Sequence, residues 1–464
     1  MLPADVADYI ENNRERFLAS LTELLHFPSV ANAEISPHPC EACADWLAEY
    51  LRGLGLGARV LPTAGQPAVY AESPAPPGAP TVLIYGHYDV QPPEPLELWD
   101  TPPFEATLRD GRLYARGAND DKGQLFAHLM AIEAWQKAGG GLPVGVKLLI
   151  EGEEEIGSPN IEPFIEENRP LLEADACVIS DSEFFADGVP AITYSLRGLT
   201  TCELTVSGPS RDVHSGVHGG GLTNPLNVLA KLVGSLHDND GRVAIDSFYD
   251  EVLELTDAER EAWAALPFDE SQYAADCGVD TAGGGEKGYT VLERRWGRPT
   301  LDCNGLVGGY TGPGDKTIIA TGASAKLSMR LVPNQNPRRI FALLEKHIQD
   351  RTPPGVHSSL EFRAGARAVM LNTDSPAMTA GKRACEEGFG AAPTLIRCGA
   401  SVPITEVFQR VLGLDSVLLG FGLPEDRIHS PNESFALGQL FGGARASAAF
   451  LGEMAGTKTG ENGT

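Results

Sequence analysis

The feature that most constrains this chain is a series of short, continuous apolar runs, each followed at once by polar or charged residues. Thr81 to Gly86 (TVLIYG), Val144 to Ile150 (VGVKLLI) and Ala176 to Ser180 (ACVIS) have the length and composition of buried strands. Between the first two, QLFAHLMAIEAWQKAG from Gln124 has helical spacing and runs into Gly139 to Gly141, a helix stop. Alternation of this kind predicts a sheet flanked by helices. In such sheets ligands gather beyond the carboxyl ends of the strands, so the polar residues there are where chemistry is expected.

After Arg197-Gly198 the texture changes. LTTCELTVSG alternates, NPLNVLAKLVGSLH reads as a helix, and ASAKLSMRLVP and SSLEFRAGARAVM look like strands with two different faces. Near Asn372 the pattern turns back: SPAMTAGKRACEEGFG is helical and SVLLGFGL is another buried-strand candidate. The expected organisation is a discontinuous α/β domain, residues 1–197 and 373–464, interrupted by an inserted α+β domain at 198–372. A chain of 464 residues is long enough for both.

The balance of 36 Lys and Arg against 63 Asp and Glu gives a net charge of -27, which repels nucleic-acid phosphates and anionic membrane surfaces. The N-terminal MLPADVADYIENNRERFLASL lacks the basic flank and apolar core of a secretory signal. No run of about 18 apolar residues occurs, and the expected location is the cytoplasm. Of eight cysteines only Cys40 and Cys43 are closely spaced. No second pair completes a zinc site with them, so they are expected as buried residues of a helix over HPCEACADWLAEYL.

The strand ends deliver a consistent set of side chains. TVLIYGHYDV supplies His87 and Asp89, KLLIEGEEEIGS supplies Glu153, Glu154 and Glu155, ACVISDSE supplies Asp181, and VLLGFGLPEDRIHSPNE supplies His429. ARGANDDKG adds Asp120 and Asp121 just before the helix, where a plain helix cap is the competing role. Each alone is weak evidence, since a single His is more often structural and a Glu run more often a solvated loop. Together, three carboxylates and two imidazoles suit two divalent cations. Four positive charges would be offset by the carboxylates and one bridging hydroxide, and ions about 3.5–4 Å apart make hydroxide available near neutral pH. Asp89, two residues from His87, could orient that imidazole. Glu154 and Glu155 face different ways, so one can bind metal while the other moves protons.

The segments GHYDVQPPEPLELWDTPPFEATLRDGRLYARGANDDKG, EGEEEIGS, ISDSEFFADGVPAITYSLRGL, DVHSGVHGG, SMRLVPNQ and IHSPNE, in this order, strongly resemble the M20 family of metallopeptidases, most of all its cytosolic non-specific dipeptidase and carnosinase branch. The resemblance implies a catalytic domain with a mixed sheet flanked by helices, an inserted lid and dimerisation domain, a dipeptide or small-peptide substrate, and two zinc or manganese ions. It implies His87, Asp120 and Asp181 as ligands of one ion and Asp120, Glu155 and His429 as ligands of the other. Glu154 then matches the general base, Asp89 the support of His87, and Asp121 the residue after the bridging ligand, often joined to it by a cis peptide. His214 matches a histidine that reaches the partner subunit's site in a homodimer and stabilises an oxyanion; the bland alternative is a surface histidine. Arg330 matches a clamp for the substrate's carboxylate, with a structural ion pair as its rival role. Gly399, Ser401 and Thr317 match further substrate contacts. Asn119 and Ala400 depart from the family pattern, which commonly has Ser or Thr and glycine there. Other amide hydrolases of the family, such as a carboxypeptidase, an N-acyl amino acid deacylase or a desuccinylase, share this machinery, and a non-catalytic binding protein on the same fold is a rival of a different class.

Overall fold

The computed structural model describes residues 2–31, 38–400 and 403–457, and each apolar run of the N-terminal part forms a strand in it. The main sheet of the first unit takes, in chain order, β1 (Gly57–Leu61), β2 (Ala68–Ser73), β3 (Thr81–His87), β4 (Gly145–Glu151), β5 (Ala176–Ile179) and β6 (Ala191–Leu196), and after the N-terminal helix Ala4–Asn12 come α1 (Arg14–Leu25), α2 (His38–Gly53) and α3 (Lys122–Ala138). β3 runs parallel to both β4 and β5. All three are buried nearly throughout, which is why they carry unbroken Val, Leu and Ile instead of an alternating pattern. α3 is buried on every side from Lys122 to Trp135, and its last turn closes on Gly139. Cys40 and Cys43 lie buried in α2, as unpaired thiols.

Contacts divide the chain into two compact units, the first comprising Met1–Tyr194, Leu371–Ile396 and Pro403–Thr464 and the second Ser195–Met370 with Arg397–Val402. The second unit has a four-stranded antiparallel sheet of β7 (Gly198–Ser207), β8 (Thr300–Gly308), β9 (Gly322–Leu331) and β10 (His357–Ala366), in the order β8-β9-β7-β10. Residues of β7 alternate between buried and less buried positions, the signature of a sheet with one covered face. α4 (Pro225–Gly234) and α5 (Pro337–Arg351) pack on it, with Leu229, Leu232, Leu344 and Ile348 against Leu204, Leu327 and Met329. Both helices start on an asparagine whose side chain accepts backbone N–H groups of the first turn, with proline at the next position.

The chain then returns to the first unit as α6 (Pro376–Phe389), β11 (Thr394–Cys398), β12 (Ser416–Leu418) and α7 (Leu437–Ala455). β12 slots between β5, to which it is parallel, and β6, to which it is antiparallel. The first unit's sheet thus reads β1-β2-β4-β3-β5-β12-β6, a mixed sheet with helices packed against it. The insertion of β12 carries the segment containing His429 toward the same strand ends that hold His87 and Asp181.

Candidate metal centre

β3 ends on His87, which is fully buried. A Cβ on the preceding Gly86 would lie 2.7 Å from Asp121 Oδ2, so a glycine is needed for the strand to pass this close. Gly86→Val should displace Asp121, lower activity at least tenfold and destabilise the protein by about 1–3 kcal/mol, the cost typical of overpacking; steady-state assay and thermal melting check both. Asp121 sits at the start of α3 without capping it. Its Oδ2 instead accepts the His87 backbone N–H at 3.1 Å. The Asp120–Asp121 peptide is cis.

His87 Nδ1 lies 3.0 Å from the Asp89 carbonyl oxygen and 3.4 Å from its Oδ1, which directs Nε2 toward Asp120, 3.1 Å from Oδ1. The Asp89 carboxylate also accepts the backbone N–H of Glu154 at 3.2 Å and of Glu155 at 3.0 Å. One aspartate therefore fixes both the first imidazole and the turn after β4. In that turn Glu153 points away, accepting from Asn160 Nδ2 at 2.8 Å, while Glu155 Oε2 accepts from Gln91 Nε2 at 2.7 Å. Asp181 follows β5 and Ser180, whose hydroxyl donates to Leu419 O at 2.5 Å and contacts His128 Nε2 at 2.7 Å. His429 Nε2 lies 2.9 Å from Asp120 Oδ2 and 3.3 Å from Glu155 Oε2.

These contacts define two candidate ion sites, His87–Asp120–Asp181 and Asp120–Glu155–His429, each with its donor atoms within 4.8 Å of one another. Asp120 belongs to both, one carboxylate oxygen facing each imidazole. The electrostatics are those of a site built for cations. Burial pushes the Asp181 carboxyl up to about 7, and the Asp120 charge adds to this. Burial also drives Glu154 well above the usual carboxylate range, with Asp181, Asp120 and Glu155 adding to the rise and His87 opposing it. His429 is raised to about 10 by Asp120 and Glu155. Burial favours neutral His87, but Asp120 and Asp89 outweigh it and raise its pKa. Beside the clustered carboxylates the imidazoles are held toward their protonated forms, and divalent ions would offset that negative charge better. His87 Nε2 is buried without a well-formed hydrogen bond, as a nitrogen kept for a metal would be. The donor set therefore fits two divalent ions.

The remaining expected site residues belong to the second unit. His214 lies on a two-residue strand paired with Ile318–Ile319, and Ser215 N donates to Thr317 O at 3.0 Å, so His214 and Thr317 are brought together. His214 Nδ1 accepts from Gly216 N at 2.9 Å. Arg330 stands on β9, opposite Thr300 and Leu199. Gly399 O accepts from Arg197 Nε at 3.1 Å, and Arg197 N donates to Ala400 O at 3.1 Å. Ser401 lies outside the described residues.

Sequence reasoning missed several polar groups around the centre. Glu433 and Asp426 are fully buried carboxylates flanking His429. Lys122, also fully buried, donates to Leu24 O at 3.3 Å and Phe27 O at 2.7 Å, at the carboxyl end of α1. Glu151 is held by Tyr85 at 2.5 Å and Ser158 at 3.0 Å. The only available signal was their position beside the motifs, because a Pro-Asn-Glu or Asp-Lys-Gly segment reads equally well as a solvated turn.

A mixed α/β domain whose strand ends converge on two carboxylate–imidazole clusters sharing one aspartate is the layout of a metal-dependent hydrolase. The chain belongs to peptidase family M20/M25/M40, whose model matches residues 83–453. It is 32% identical to a human Beta-Ala-His dipeptidase, over 97% of this chain and 92% of the relative. It is 31% identical to a Cys-Gly metallodipeptidase of Saccharomyces cerevisiae, over 95% of this chain and 96% of that one. Among solved structures, an M20 family metallo-carboxypeptidase from Sulfolobus solfataricus superposes with a TM-score of 0.82 at 35% identity, covering 95% of this chain and 99% of its own.

Proposed function

We propose that the chain is a two-metal dipeptidase, and the observation that carries this reading is the pair of ligand clusters joined through Asp120. His87, Asp120 and Asp181 would hold one ion and Asp120, Glu155 and His429 the other. Two divalent ions there would polarise the scissile carbonyl and lower the pKa of a water between them. Glu154, in neither cluster, takes the proton of the attacking water and passes it to the leaving amine. Asp89 keeps His87 and the Glu154–Glu155 turn in register. Zinc and manganese both suit a mixed carboxylate and imidazole set. Dipeptides are the substrates favoured by likeness to the Beta-Ala-His and Cys-Gly dipeptidases along nearly the whole chain. A panel of dipeptides, C-terminally extended peptides, and N-acetyl and N-succinyl amino acids tests the assignment. Preference for dipeptides is expected; cleavage confined to longer peptides would move it to a carboxypeptidase, and to N-acyl substrates, a deacylase.

The second unit is read as a lid and dimerisation domain, 198–372 in sequence terms. Arg330, with Gly399, Ser401 and Thr317, would bind the substrate's carboxylate side, and the partner subunit's His214 would stabilise the developing oxyanion. His214→Ala is expected to lower turnover by about 10²–10³-fold, as for other oxyanion donors, with metal content unchanged in a zinc assay. The dimer reading is supported by β8, which ends the four-stranded sheet and exposes Leu306 and Val307, 49% and 66% accessible. The opposite edge, β10, carries Glu361 and Arg363. The exposed apolar end of β8 at Leu306 and Val307 is where such an edge would invite pairing. Leu306→Asp with Val307→Asp should shift the protein toward monomer in light scattering and lower turnover in parallel. A cytoplasmic setting belongs to the same reading, supported by eight cysteines with no disulfide among them.

A further inference from the structure

We propose that Glu433 and Asp426 are positioning residues that preorganise the pocket of the second ion by tying the His429 segment to the loop that carries Asp120. Neither carboxylate belongs to a ligand cluster, and both are fully buried. Glu433 Oε2 accepts from Arg116 Nη1 at 2.7 Å and Gly117 N at 2.9 Å; its Oε1 accepts from Asn119 N at 3.0 Å and Asp120 N at 3.1 Å. Three of those four donors are backbone amides of the loop ending in Asp120. Asp426 Oδ2 accepts from Asn119 Nδ2 at 2.6 Å and Leu423 N at 2.7 Å, and its Oδ1 pairs with Arg112.

His429 lies between these two anchors, three residues beyond Asp426 and four before Glu433. The segment they hold is locally unfavourable: Arg427, His429 and Asn432 all have left-handed backbone, with φ of 57°, 60° and 62°. A buried carboxylate is costly unless its oxygens are satisfied, and here the satisfying donors are the backbone groups that place a metal ligand. Asn119 supplies an amide that reaches Asp426 while its Oδ1 accepts from Gln124 at 2.8 Å. The first ion's other ligands, His87 and Asp181, come from β3 and the end of β5 and do not depend on this clamp. The inference rests on the ligand sets proposed above.

The first test uses wild-type chain stripped of metal. Hydrogen exchange should find the Gly117, Asn119 and Asp120 amides nearly as protected as in protein reloaded with zinc. Exchange at open-loop rates in the stripped protein overturns the proposal, since the ions and not Glu433 would then order the loop. The second test titrates zinc against a competing chelator, with circular dichroism reporting the fold and cobalt absorption the coordination. In Glu433→Gln and Asp426→Asn the second ion should bind about 10–100-fold more weakly, the loss typical when a ligand's supporting group is removed, while the first, which shares Asp120 but keeps His87 and Asp181, should weaken by less. If Glu433→Gln does not fold, Arg116→Met combined with Glu433→Gln removes the unpaired guanidinium and carries the same prediction. Wild-type affinity for both ions in any folded variant of Glu433 overturns the proposal. His429→Ala is the control: if it also keeps both ions, the ligand assignment itself fails; if it loses one while Glu433→Gln keeps both, only the clamp fails.

Discussion

Glu154→Ala is expected to lower turnover by about 10²–10⁴-fold, the range of positioned general bases, with two ions per subunit still bound. Burial raises the Glu154 pKa well above the usual carboxylate range, and the neighbouring Asp181, Asp120 and Glu155 add to the rise. With divalent ions held by the neighbouring clusters that field would be reversed, and Glu154 would be favoured in its charged form, able to accept a proton. Its backbone, not its side chain, is what Asp89 holds, so truncation leaves the His87 and Glu155 positions intact. Metal analysis alongside kinetics separates the roles: loss of an ion with the activity would make Glu154 a ligand, and unchanged turnover would remove it from the mechanism.

Asp120→Ala should have the largest effect of any single substitution, because it removes one donor from each cluster at once. Both imidazoles lose their nearest carboxylate, His87 at 3.1 Å and His429 at 2.9 Å. Affinity for both ions should fall by more than the roughly 10–100-fold that follows loss of a supporting group, and activity should drop to background. Glu155→Ala, by contrast, should weaken only one ion. Calorimetric titration with zinc distinguishes a shared ligand from a private one; Asp120→Ala protein that lost a single ion would show that Asp120 does not bridge.

Much of this centre was legible because it lies where continuous apolar strands end. β3, β4 and β5 announce themselves by unbroken Val, Leu and Ile, and the residues after them are the ones that converge. The edge strand β1 was not legible: Gly57–Leu61 is only partly buried and carries Ala and Arg, so periodicity gave little signal. Asp121 illustrates the limit of local reading. Its position before a helix suggests a cap, yet its carboxylate reaches back to His87, a contact set by tertiary packing. Glu433 and Asp426 were hidden for the same reason, since all their donors but Leu423 N lie more than 300 residues away in sequence. Strands β7, β9 and β10 of the second unit were readable from alternation, but β8, with Asp302, Asn304 and a bulge near Cys303, was not, and its place at the sheet's edge follows from strand order, which no local pattern contains.

The most direct test of the central claim is dipeptide hydrolysis by purified protein, stripped with chelator and titrated with zinc or manganese. Cleavage of several dipeptides that is absent in the stripped protein and completes its return at two ions per subunit is the predicted result. Dipeptide cleavage that survives stripping, or full metal binding without cleavage of any dipeptide, would contradict the account.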